Sequence, residues 1–137
     1  MLGERKDVQI VGDRFVFSSE VLFPTASDEV SADGMIQLTR LAETLKTLAA
    51  EIPDDLPWVL QVDGHTDRRP IVTSQFPSNW ELSAVRASTV VRLFIESGMR
   101  GARLTAAGYA DQRPLTDNTN EEGRARNRRV TILIESM

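Results

Sequence analysis

The stretch from Trp58 to Arg86 constrains the chain more than any other. Trp58-Val-Leu-Gln-Val-Asp63 reads as a strand, with Trp58, Leu60 and Val62 on one side and Val59, Gln61 and Asp63 on the other. Gly64-His65-Thr66-Asp67 follows, and the glycine marks a place where other atoms can come close. Residues 68–78 contain Pro70 and Pro77 and read as a connection. Ser78 or Asn79 then caps a helix with Leu82, Val85, Thr89, Val90, Leu93 and Phe94 along one stripe. Gly98 stands where a left-handed residue ends such a helix. An acid at the end of a strand, Asp67, is thus followed by an arginine near the start of a helix, Arg86.

The remaining segments support a sheet with helices laid on it. Val8–Val11 and Arg14–Phe17 flank Gly12-Asp13, a hairpin signal. Val21-Leu22-Phe23, before Pro24, suggests a short extended run. Ser31 is placed to cap a helix whose Met35, Leu38, Leu41, Ala42, Leu45, Leu48, Ala49 and Ile52 recur at three-and-four spacing, and Pro53 stops it. Leu104–Ala107 reads as a short strand ending at Gly108-Tyr109. Thr119-x-x-Glu122 resembles a capping box opening a short helix through Arg126. Arg129–Glu135 is a strand with Val130, Ile132 and Ile134 on one face. The alternation predicts an α/β (α+β sandwich) fold: a mixed sheet of about four strands with helices mainly on one face.

Charge narrows the function classes. The 137 residues carry a net charge of -4 and no cysteine, which excludes disulfides and Cys-ligated metals and argues against a general nucleic-acid binder. Residues 1–60 hold 11 acids and 5 bases; residues 61–137 hold 9 acids and 11 bases, every base an arginine. Arginine favours planar recognition of carboxylate or phosphate. No apolar run approaches the ~20 residues that span a bilayer, and the N-terminus is polar from its third residue. The expectation is a cytoplasmic protein or a soluble piece of a longer one.

Several constellations have chemical potential. Asn79, Ser83 and Arg86 lie at i, i+4 and i+7 and share a helix face bordering the loop after Asp67. The helix start and Arg86 suit an anion, and Asp67 suits an ammonium, so together they fit a zwitterion. An internal Asp67–Arg86 salt bridge explains the same residues. Asp63, His65 and Asp67 have the i, i+2, i+4 spacing of metal ligands, though a single histidine makes the signal weak. His65 as a base with Ser74, Ser78 or Ser83 as nucleophile lacks any nucleophile-elbow spacing. Gly123-Arg124-x-Arg126-Asn127-Arg128-Arg129 either docks a polyanion or a second part of the same ligand, or bonds locally.

The chain resembles the OmpA-like (OmpA/MotB C-terminal) peptidoglycan-associating domains. The resemblance rests on Gly64-His65-Thr66-Asp67, Asn79-x-x-Leu82-Ser83-x-x-Arg86-Ala87, Gly108-Tyr109 with Pro114, and Asn118-x-x-x-x-Gly123-Arg124-x-x-Asn127-Arg128-Arg129-Val130. Pro70-Ile71 and Phe76-Pro-Ser-Asn-Trp-Glu-Leu-Ser83 look like the flagellar stator (MotB-type) branch, without that branch's transmembrane helix. The resemblance implies one OmpA-like domain over residues 1–137, with 1–23 as a hairpin and extended lead-in and 58–135 as the motif-bearing core. It implies a periplasmic, non-enzymatic module with no cofactor, which binds peptidoglycan through stem-peptide diaminopimelate. Asp67 and Arg86 would hold that residue, Thr66 and Asn79 would shape the pocket, Leu82 would pack beneath it, and Arg124 and Arg128 would contribute. A homodimer and an inner-membrane partner, reached through an N-terminal segment, are further expectations. The alternative is an assembly module with a vestigial pocket, dimerising through Val130–Ile134 if that strand lies at an edge.

Overall fold

The computed structural model describes residues 8–11, 14–24, 26–53 and 55–136. Among the described residues the strands and α-helices run in the order β1 (Val8–Val11), β2 (Arg14–Ser18), α1 (Ser19–Leu22), α2 (Ala32–Ala50), β3 (Trp58–His65), α3 (Asn79–Glu96), β4 (Leu104–Gly108), α4 (Glu121–Asn127) and β5 (Arg129–Ser136), with a short 3-10 turn at Gly101–Arg103 before β4. The strands form one mixed sheet in the order β1-β2-β5-β3-β4, with β3 and β4 parallel and the other pairs antiparallel. The fold is therefore the expected one with five strands rather than about four, because β1 pairs along β2. The turn at Gly12-Asp13 lies outside the described residues. β5, the last strand in sequence, lies between β2 and β3. Val130–Ile134 is therefore not at an edge, and the dimerisation surface conditional on that placement is absent.

Register assigns the two faces. Leu60 pairs with Ile134, Val62 with Ile132 and Gly64 with Val130, while Phe17 pairs with Val130 across the other side of β5. On the face toward α2 and α3, Phe17, Leu60, Val62, Val130 and Ile132 are buried with Leu38, Leu41, Leu45, Val90 and Phe94, while Ile134 near the end of β5 is exposed. Each such side chain adds about 1.5–3 kcal/mol when fully buried. The stripe predicted on α2 is narrower than its spacing suggested. Met35 and Leu48 are 46% and 44% exposed, since they sit on the flanks of the contact rather than its centre.

Local signals close the elements largely as read. Ser31 caps α2 by accepting a bond from the Gly34 N–H, and its hydroxyl also donates to the Val21 carbonyl at 2.6 Å. Ser78 caps α3, and Gly98 has φ +106° just beyond its end. Two readings change. Val21 and Leu22 belong to a helical turn instead of an extended run, and only Phe23 is extended. The turn buries both Leu22 and Phe23 against α2, whereas alternation in an extended run would separate them. At α4 the cap is Asn120, whose side chain accepts from the Gly123 N–H, while Thr119 donates instead to Asp117.

α3 rides unusually close to the sheet. A Cβ on Gly64 would lie 2.3 Å from the Ser83 carbonyl oxygen, and one on Gly108 would lie 2.4 Å from the Ala84 nitrogen. Only glycine permits that approach at these paired positions of β3 and β4. The Ser83 hydroxyl then accepts from the Ala110 N–H at 3.1 Å and donates to the Trp80 carbonyl. The first turns of α3 are thereby fixed against the ends of β3 and β4.

Candidate functional site

Beyond the end of β3 the chain turns out of the sheet at Thr66 and Asp67. The Thr66 N–H bonds to the Ala110 carbonyl at 2.8 Å, and its hydroxyl donates to the Asp67 carbonyl. Asp67 is buried but borders open space. One carboxylate oxygen accepts the Arg69 N–H at 2.9 Å; the other accepts Arg69 Nη2 at 3.1 Å and Arg128 Nη1 at 2.6 Å. Asn79 donates to the Arg69 carbonyl at 2.9 Å and so fixes the loop after Asp67. Asn118 accepts the Arg68 N–H and an Asn127 N–H, which ties the same loop to α4.

Arg128 is shared by three acids. Besides Asp67 it bonds to Glu20 through Nε at 2.8 Å and through Nη2, and to Glu121 through Nη2 at 2.9 Å. Burial lowers the guanidinium's affinity for its proton, but the bonds to Glu121, Asp67 and Glu20 outweigh this and raise its pKa. Glu121 is held below the usual carboxylate range, first by its bond to Arg128.

Arg86 follows different rules. Its Nε donates to the Ser27 carbonyl at 2.8 Å, Nη2 donates to the Pro24 carbonyl at 3.1 Å, and its guanidinium lies 4.9 Å from the centre of the Phe23 ring. Burial depresses its pKa to about 10, with Asp28 opposing. These bonds clasp the loop around Ala26, which adopts φ +53°. A guanidinium has five N–H donors, so three remain after these two bonds among the described residues. Asp67 and Arg86 share no ion pair, which removes the internal salt bridge as an explanation of the two.

Both residues line one cleft of about 600 Å³. Of the sequence-predicted site residues, Thr66, Asp67, Asn79, Leu82, Arg86 and Arg128 border it. Arg124 does not line it; its Nη1 turns back to the Asn118 carbonyl at 3.0 Å. Sequence reasoning missed Glu20, Arg69 and Glu121 on the acidic wall and Phe23 beneath Arg86. Arg69 had a signal, being two residues from Asp67 in a loop. Glu20 had none, because it is 108 positions from Arg128.

The i, i+2, i+4 set does not converge. Asp63 and His65 lie on the sheet face away from α2 and α3, whereas Asp67 has left the strand for the cleft. Among the described residues no group of three His, Asp or Glu side chains could hold a metal. His65 stacks on Tyr109 with ring centres 5.2 Å apart, and Asp63 accepts from Gln61 at 2.8 Å. Burial, with Arg129, Arg14 and Arg113 nearby, lowers the His65 pKa to about 3. Ser83 is occupied between Trp80 and Ala110, and Ser78 caps α3.

The model of the OmpA family matches residues 22–128 of the chain. Motility protein B of Bacillus subtilis is 38% identical over 122 residues, covering 85% of this chain and 46% of that protein. A putative MotB like protein from Desulfovibrio vulgaris superposes with a TM-score of 0.84 at 32% identity, over 95% of this chain and 79% of that one. The cell wall anchor of the T6SS from Pseudomonas aeruginosa superposes with a TM-score of 0.77 at 38% identity, over 95% and 87%. The chain spans about half the length of the curated relatives it matches.

Proposed function

The chain belongs to the OmpA family, and from that premise we propose that it binds peptidoglycan non-covalently through the diaminopimelate of the stem peptide. The supporting observation is that Asp67 and Arg86 border one cleft without neutralising each other. The free end of diaminopimelate bears an ammonium and a carboxylate on one carbon. The ammonium goes to Asp67 and the carboxylate to the Arg86 guanidinium. Thr66 and Asn79 hold the loop that presents Asp67, and Leu82 and Phe23 give the ligand's methylene chain an apolar floor. Arg128 lines the ammonium end, and Arg124 supports that wall from behind.

The domain acts as an anchor, not an enzyme: it fastens a periplasmic or envelope complex, such as a stator-type motor, to the wall. Dimerisation and an inner-membrane partner belong to the same reading, through parts of a longer protein. The test is a pull-down with purified sacculi. Wild type co-sediments, and Asp67→Ala and Arg86→Ala remain in the supernatant while keeping their circular dichroism. Equal sedimentation of all three proteins would sink the proposal.

A further inference from the structure

The wall around Asp67 has a charge balance that none of the motif residues explains. Asp67 is bonded to two arginines, Arg69 and Arg128. Those three groups alone sum to one positive charge, which would repel an ammonium and attract a carboxylate. Glu20, from α1, and Glu121, from α4, each bond Arg128 on its other edges. Glu121 also lies 3.7 Å from Arg69. With both glutamates the cleft-lining groups of this wall carry three acids against two bases. Arg124, outside the lining, approaches Glu121 at 3.6 Å and offsets part of that. Either way, the two glutamates shift the wall by two negative charges, within a few ångströms of where a ligand must sit. Coulomb energies at such distances are large enough to reverse a preference between opposite charges.

We infer that Glu20 and Glu121 determine specificity: by neutralising Arg128 and Arg69 they make the Asp67 end of the cleft select an amine-bearing ligand. This rests on the peptidoglycan reading above and adds what decides the orientation of the zwitterion. Arg86, also in the lining, is hydrogen-bonded among the described residues to two carbonyls and to no acid, and so keeps its charge for the carboxylate. Glu20 and Glu121 act through the arginines and are positioning residues. Their side chains are each 57% exposed, so replacing them leaves the core intact.

The experiment is calorimetric titration with two probes: a muropeptide ending in meso-diaminopimelate, and the same muropeptide with 2-aminopimelate in its place, lacking the amine that Asp67 would take. Wild type prefers the first by roughly tenfold, the scale of one charge-assisted contact. Glu20→Gln/Glu121→Gln brings the two affinities together, and each single change moves the ratio part of the way. A merely structural loss would weaken both probes equally and leave the ratio at its wild-type value, which would overturn the inference. So would a wild type that binds both probes alike. A wild type that binds neither would overturn the peptidoglycan reading itself, and the inference with it.

Discussion

β3 sends two acids to two different fates four residues apart. Asp67 emerges at the cleft, where arginines surround it and solvent reaches its neighbours. Asp63 stays on the far face of the sheet with His65, Arg129 and Thr131, all buried. On that face His65 Nδ1, Arg129 Nε and Thr131 Oγ1 have no hydrogen-bond partner among the described residues. Burial raises the Asp63 pKa and lowers that of Arg129 to about 10. The Asp67–Arg128 end of the cleft has surplus bonding around its charges, and the far face leaves three buried polar atoms without partners among the described residues. Asp67 and Arg128 are surrounded by bonding partners, whereas burial dominates at Asp63, His65 and Arg129, and also at Arg86, whose pKa it lowers to about 10.

That contrast can be broken first at Arg86. Arg86→Ala should weaken sacculus binding by about 2–5 kcal/mol, because a partnered, partly desolvated charge is removed from the cleft. Denaturant titration should also show a loss of stability, since the clasp on the Pro24 and Ser27 carbonyls goes with it. No substitution at Asp63 or His65 should change binding to that extent.

A second change couples the two regions. Gly64→Ala forces a methyl group against the Ser83 carbonyl and should cost about 3 kcal/mol of stability while weakening ligand binding. An unchanged urea midpoint would show that α3 can shift away from the sheet without consequence.

The far face should dominate the response to acid. The folded protein holds His65 neutral down to about pH 3, while the unfolded chain takes up a proton near 6.5. Between those values the unfolded state binds more protons, so stability falls as pH falls. The loss should reach about 2 kcal/mol by pH 5 and should disappear from the pH profile of His65→Phe. A wild-type profile that is flat across this window would contradict the buried, neutral histidine.

The smallest effect should come from salt. Raising ionic strength from about 0.05 to 0.5 M shortens the screening length and should weaken cleft binding by about threefold. The His65-dependent slope, arising from enclosed groups, should hardly respond. Equal sensitivity of the two would erase the distinction between cleft and far face.

Much of the frame was legible in the chain itself. Alternation located β3 and β5, three-and-four spacing located α2 and α3, and Ser31, Ser78 and Gly98 marked helix ends as read. These signals are local: each depends on residues a few positions apart, and backbone sterics read them the same way in any fold. The motif residues Asp67 and Arg86 were legible too, as a pair suited to opposite charges. Their actual partners were not. Whether they neutralise each other depends on whether Arg128, Arg69 and the loop carbonyls arrive first. That follows from β5 lying between β2 and β3, which brings Glu20 and Arg128 together across 108 positions. The same strand order sets Asp63 and His65 opposite Thr131 and Arg129, where all four are buried. Composition and periodicity specified which groups exist and which elements carry them; the packed sheet decided which charges meet solvent, because only long-range pairing determines what surrounds a side chain.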